Sequence, residues 1–221
     1  MHDHRRLGRE PGLFDTDPLM GAGLPYWLPD GAVVRHTLEE YVREAERAAG
    51  YRHVYSPVLS TVQIDFHQPE RFGLRHIGPD GARHRPVMVH RSIIGSVERA
   101  VAHLLEAHGG ALPVWLAPVQ LTVLPVGAAQ EERAHAVVRR AGELGLRAEA
   151  AGVAEGSLGA RIRRARRVPY QAVLGEREAE GGLVAVRLRD GRRPGALPAE
   201  ELLRRIGERA DRRGPGLWDA A

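Results

Sequence analysis

What this chain of 221 residues lacks already narrows its chemistry. It has no cysteine, so neither a disulfide framework nor a thiolate metal ligand is available to it. It has no apolar run long enough to cross a bilayer, and its first residues, MHDHRRLGRE, lack the apolar stretch of a signal peptide. The expected location is therefore the cytoplasm, with no membrane partner. Lysine is also missing, which makes all 32 basic residues arginine, a compositional bias of the source rather than a functional signal.

What is present suits a globular protein. Hydrophobic residues make up 43% of the chain, enough to bury a core in one large or two small domains. The net charge of +4 conceals an asymmetry: Ser157 to Arg213 holds 15 Arg against 8 acidic residues, a balance of +7, while the rest of the chain sums to −3. The positive charge belongs to the C-terminal part, where it would attract polyanions.

The first 20 residues, broken by Gly8, Pro11, Gly12 and Pro18, read as a lead-in with one short helix. Ala32 to Ala49 places Val33, Val34, Leu38, Tyr41, Val42 and Ala45 at helical spacing, with Gly50 as C-cap. His53 to Ser56 reads as a strand before Pro57, because the residue preceding proline is pushed into the β region. Thr61 to Phe66 and Pro86 to His90 read as further strands, with a turn at Gly78 to Gly81 between them. Ser92 to His108 reads as a helix stopped by Gly109 and Gly110, and Pro113 to Pro118 as a linker.

Beyond the linker the pattern alternates. Strands are expected at Leu121 to Val126, Arg147 to Val153, Tyr170 to Leu174 and Leu183 to Arg189. Helices are expected at Glu131 to Leu144, Ser157 to Arg167 and Pro198 to Arg212. This order is an α/β signature, and no internal repeat accompanies it.

Several strings resemble a known family. Gly21 to Ser60 (GAGLPYWLPDGAVVRHTLEEYVREAERAAGYRHVYSPVLS) runs into Thr61 to Leu74 (TVQIDFHQPERFGL), and Val87 to Val101 (VMVHRSIIGSVERAV) follows. These are similar to the first and third motifs of class II aminoacyl-tRNA synthetases, specifically the threonyl enzymes. Asp3 to Glu10 (DHRRLGRE) resembles the opening of that family's catalytic domain, which follows an editing domain not found here. Trp115 to Val126 (WLAPVQLTVLPV), Ala160 to Glu178 (ARIRRARRVPYQAVLGERE) and Gly182 to Gly191 (GLVAVRLRDG) resemble the anticodon-binding domain.

The resemblance implies an α+β remnant of the catalytic domain at residues 1–112, then an α/β anticodon-binding domain with a mixed sheet at 113–221. It places Ala32 to Ala49 and Pro57 at a dimer interface, Arg99 after Glu98 facing the ATP phosphates, and Thr61 and Gln63 in the adenylate pocket. His90 matches one of three zinc ligands, the other two belonging to a segment missing from this chain.

The second motif, whose arginine stabilises the charge that builds on the α-phosphate, has no counterpart, since no Phe-Arg-x-Glu string occurs. The intact family uses ATP and zinc, whereas neither cofactor is expected to be used here.

Arg161, Arg163, Arg164, Arg166 and Arg167 crowd one helix, and Arg161, Arg163, Arg164 and Arg167 are the expected tRNA contacts, Arg161 standing where the family usually has Lys. The expected function is a synthetase-like protein that binds tRNA, or pairs with itself or a full-length threonyl-tRNA synthetase, rather than aminoacylating. Two alternatives stand beside it: a threonine-tRNA ligase completed by a partner chain, and a gene fragment without a role.

Overall fold

The computed structural model of the chain describes residues 3–17, 25–50, 62–91 and 96–218. They group into two compact units, Met1–Thr37 with Ala102–Ala221, and Leu38–Val101. This grouping follows compactness, whereas the division expected between residues 112 and 113 follows the motifs. The first unit gathers the lead-in segment together with the C-terminal half.

The lead-in is more structured than its sequence suggests. Helix α1 (His4–Arg9) is capped by Asp3, whose carboxylate accepts a hydrogen bond from the Arg5 amide at 3.0 Å. Strands β1 (Phe14–Thr16) and β2 (Pro25–Trp27) pair antiparallel, and Phe14 meets Trp27 edge to face. Three-residue strands carry too little alternation to be legible in sequence. Helix α2 (Pro29–Ala48) begins earlier than the apolar period indicates, with Pro29 at its first position, and Gly50 follows it at φ 84° as expected of a C-cap. Glycine is required at Gly31, where an added Cβ would lie 1.7 Å from the Leu13 carbonyl oxygen.

In the second unit β3 (Val62–Asp65) is followed by α3 (His67–Arg71), then β4 (His76–Ile77) and β5 (Arg83–His84), which pair antiparallel. Strand β6 (Met88–Arg91) returns to pair with β3, setting Gln63 opposite His90. Helix α4 (Val97–Ala107) follows. The strand expected at His53 to Ser56, Pro57 and the expected helix start at Ser92 lie outside the described residues.

Among the described side chains of this unit, Leu38 and Val101 at its two ends are the buried hydrophobic ones. Phe66, Phe72, Ile77 and Val89 are each at least 60% exposed.

The remaining elements make the expected mixed α/β layer. They are β7 (Leu121–Pro125), α5 (Glu131–Glu143), β8 (Ala148–Ala150), α6 (Leu158–Arg164), β9 (Tyr170–Leu174), α7 (Glu176–Gly181), β10 (Leu183–Leu188), β11 (Gly195–Pro198) and α8 (Ala199–Asp211). The sheet runs β11-β10-β9-β7-β8. Strands β8 and β9 flank β7 in parallel, each reached through a helix, while β10 and β11 add on antiparallel.

Strand β10 alternates, burying Val184, Val186 and Leu188. These face the same core as Leu121, Val123, Tyr170 and Leu174, into which α5 inserts Ala134, Val137 and Ala141 and α8 inserts Leu202, Leu203 and Ile206. The spacings i, i+3, i+7 and i, i+1, i+4 are the ones that turn a helix face toward a sheet.

Polar side chains bind the loops to this layer. Gln120 is buried; its amide donates to the Val114 carbonyl at 3.1 Å and its side-chain oxygen accepts from the Arg147 amide at 2.9 Å. The Arg147 guanidinium donates to the carbonyls of Ala117 and Trp115, at 2.9 and 2.8 Å, so the proline-bracketed linker is held along its length. Arg189 donates to the Leu112 carbonyl. The Tyr170 hydroxyl donates to the Leu217 carbonyl at 2.5 Å, and Arg205 stacks over the neighbouring Trp218 ring.

Candidate nucleic-acid interface

Helix α6 begins at Ser157, whose hydroxyl accepts from the Ala160 amide, and passes through the 3₁₀ turn Ala165–Arg167. It stops there because Val168 precedes Pro169 and takes the extended conformation, with ψ 132°. Within this short stretch the arginines divide between two faces. Arg161 and Ala165, one helical turn apart, are buried, while Arg163, Arg164 and Arg166 are exposed and Arg167 is half-buried.

Arg161 is therefore not a phosphate contact, contrary to the expectation from sequence. It is 2% exposed, and its guanidinium donates to the carbonyls of Pro125 and Ala151 at 2.8 Å and of Gly156 at 3.0 Å. These carbonyls lie at the end of β7, just after β8 and just after the 3₁₀ turn Val153–Glu155, and a planar fork with five donors suits them.

The outward arginines differ in how their charge is held. Arg164 pairs with the Glu155 carboxylate at 2.8 Å, and Arg167 with Glu10 at 2.5 Å. The hydrogen bond from Arg167 keeps the Glu10 carboxyl below its ordinary range. That pairing is accordingly present above the usual carboxylate pKa and is lost as pH falls through the depressed one. Arg163 and Arg166 have no acidic partner among the described residues. The expected contacts Arg163, Arg164 and Arg167 thus lie outward of the buried Arg161, as does Arg166.

This surface borders a cavity of about 560 Å³. Its lining includes Arg163, Arg164, Arg166 and Arg167, the apolar Leu112, Pro118, Val119 and Val168, and the acidic Glu10, Asp30 and Glu149.

The residues expected from the catalytic motifs are described only in part. Glu98 and Arg99 stand exposed in the first turn of α4, where the Ser96 hydroxyl donates to Glu98 at 2.8 Å. Gln63 and His90 are backbone partners across β3 and β6, their side chains and Thr61 lying outside the described residues. Among the described residues no group of three or more His, Asp or Glu could hold a metal ion. No helix among them is long and apolar enough to cross a membrane.

Residues 120–209 match the family described as anticodon binding domain. The threonine–tRNA ligase of Halorhodospira halophila is 47% identical over 150 residues, 67% of this chain and 23% of that protein. A threonine–tRNA ligase of Thermus thermophilus is 48% identical over 147 residues, 66% of this chain and 22% of that one. The chain therefore spans under a quarter of the length of these curated relatives.

Among solved structures, the RNA binding domain of threonyl-tRNA synthetase from Cryptosporidium parvum superposes with a TM-score of 0.81 at 18% identity, covering 95% of this chain and 98% of that one. Prolyl-tRNA synthetase from the same organism gives 0.50 at 19% identity over 66% of this chain and 32% of that one. At these identities the likeness is one of fold.

The two classes of arginine separate by substitution. Arg161→Ala leaves three carbonyls without a donor and costs roughly 3–5 kcal/mol in urea unfolding. Arg163→Ala, on the exposed face, stays within about 0.5 kcal/mol of wild type.

Proposed function

We propose, from the premise that this chain is a relative of the threonine–tRNA ligases carrying an anticodon-binding domain at residues 120–209, that it binds tRNA through the basic surface of α6 and does not itself aminoacylate. The observation that carries the reading is the outward set Arg163, Arg164, Arg166 and Arg167, placed on a domain whose family is described as anticodon binding. Guanidinium groups there neutralise phosphates and release counterions, a contribution that is independent of base sequence and sensitive to salt.

Because every cation of this surface is arginine, its charge persists at any pH at which RNA and protein stay intact. Titration with threonine-accepting tRNA gives an affinity that falls steeply with salt, and Arg163→Ala with Arg164→Ala weakens it and lowers the salt slope by about one per lost contact. Undetectable binding at low salt overturns the reading.

The lack of aminoacylation rests on the sequence between the first and third motifs. Without the second-motif arginine nothing preorganises the charge that builds on the α-phosphate as the amino acid carboxylate attacks it. A threonine-dependent pyrophosphate exchange assay on the pure chain gives no rate above the blank. An appreciable rate means the activation chemistry is intact.

Association is the third part of the proposal. The unit Leu38–Val101 exposes Phe66, Phe72, Ile77 and Val89, and among the described residues its ladders have two strands each. Such a surface favours pairing, with a second copy or with a full-length threonyl-tRNA synthetase. The same feature favours the second reading, a ligase completed by a partner chain. In sedimentation the protein runs as a dimer or co-sediments with the full-length enzyme at micromolar concentration; a monodisperse monomer that ignores that enzyme contradicts the pairing.

A further inference from the structure

The cavity beside the basic surface is far larger than a phosphate needs, and its lining is of two kinds. It carries Arg163 and Arg166, which lack acidic partners among the described residues, next to Arg167, which Glu10 holds in place. Leu112, Pro118 and Val119 add apolar groups to the same lining. At about 560 Å³ the space is of the size that holds a small organic ligand. Glu149 also borders it; one carboxylate oxygen accepts from the Thr122 hydroxyl at 3.0 Å and the other has no donor among the described residues.

Guanidinium groups, apolar side chains and a carboxylate acceptor lining one cavity form a combination that a bare anion would leave half unused. A phosphate esterified to a flat, amine-bearing body uses all of it.

We propose that this cavity binds a single nucleotide unit, its phosphate held by Arg163 and Arg166 and its base laid against Pro118 and Val119. The inference deepens the tRNA-binding reading and rests on it for its partner, since an unstacked nucleotide of RNA and a free nucleotide present the same groups. Glu10 occupies Arg167 much as a second phosphate oxygen would, so it competes with the ligand for that guanidinium.

The test titrates the full chain at low salt with ribonucleoside 5′-monophosphates, with inorganic phosphate and with tRNA, by calorimetry. The monophosphates bind saturably, and inorganic phosphate binds more weakly. Arg163→Ala with Arg166→Ala reduces monophosphate affinity about tenfold or more. Glu10→Gln strengthens it, and Arg139→Ala on α5 leaves it unchanged. Val119→Trp, which fills the cavity while leaving the arginines in place, abolishes it.

No saturable monophosphate binding, equal binding by inorganic phosphate, or indifference to the double substitution in a protein with unaltered circular dichroism overturns the site. The two readings fail separately. If monophosphates bind and tRNA does not, the cavity stands and the tRNA reading falls. If tRNA binds with full affinity to both the double variant and Val119→Trp, the cavity is not its site.

Discussion

The basic surface depends on one buried cation. Taking the Arg161 guanidinium out of water is expensive unless its donors are met, and three carbonyls from the end of β7, from Ala151 and from Gly156 meet them. Pro125 ends β7, and Ala151 and Gly156 lie at either end of the connection from β8 to α6, so the same side chain ties the end of β7, the exit from β8 and the start of α6 into one body. With Arg161 fixed inward, Arg163, two residues on, is turned away from it, and Arg164 and Arg166 are exposed as well. A lysine at this position could place a charge there, but its single ammonium lacks the planar fork that reaches several acceptors at once.

That dependence explains what the sequence could and could not disclose. Strands β7, β9 and β10 and helices α5 and α8 are legible because their apolar residues recur at a clear period and the core they build is continuous. Strand β8 is shorter than its apolar run, Ala148–Ala150 rather than Arg147 to Val153, because a 3₁₀ turn takes the residues Val153–Glu155. Strand β11 and helix α7 are too short to show a period, and so are β1 and β2. Within α6 the signal was present but faint. Five arginines in seven residues leave little contrast of polarity, and the two apolar residues among them, Ile162 and Ala165, differ in burial: Ala165, one turn after Arg161, is buried and Ile162 only half so. A family resemblance groups all five arginines on one helix and does not distinguish the buried Arg161 from its outward neighbours.

The two units contrast in how they are held. The first has a core to which strands and helices both contribute, with linker and termini fastened by buried polar side chains. The second offers, between its ends, ladders of two strands each and exposed aromatic and aliphatic groups. A two-stranded ladder in water is marginal by itself, since each strand keeps an open edge and little apolar area is removed from solvent. The motif remnants Glu98, Arg99, Gln63 and His90 all belong to this unit, so the groups resembling catalytic ones lie on the less well-supported part of the chain.

The bond from the Tyr170 hydroxyl to the Leu217 carbonyl has a consequence for how the protein is made. Tyr170 belongs to β9, between β7 and β10 in the sheet, while Leu217 follows the last helix, and α8 supplies Leu202, Leu203 and Ile206 to the core beneath. As the chain emerges from the ribosome, β7 to β10 are therefore available before α8 can cover the face they share. Until residues 202–217 arrive, the apolar side of these strands stays open and the nascent chain is exposed to aggregation.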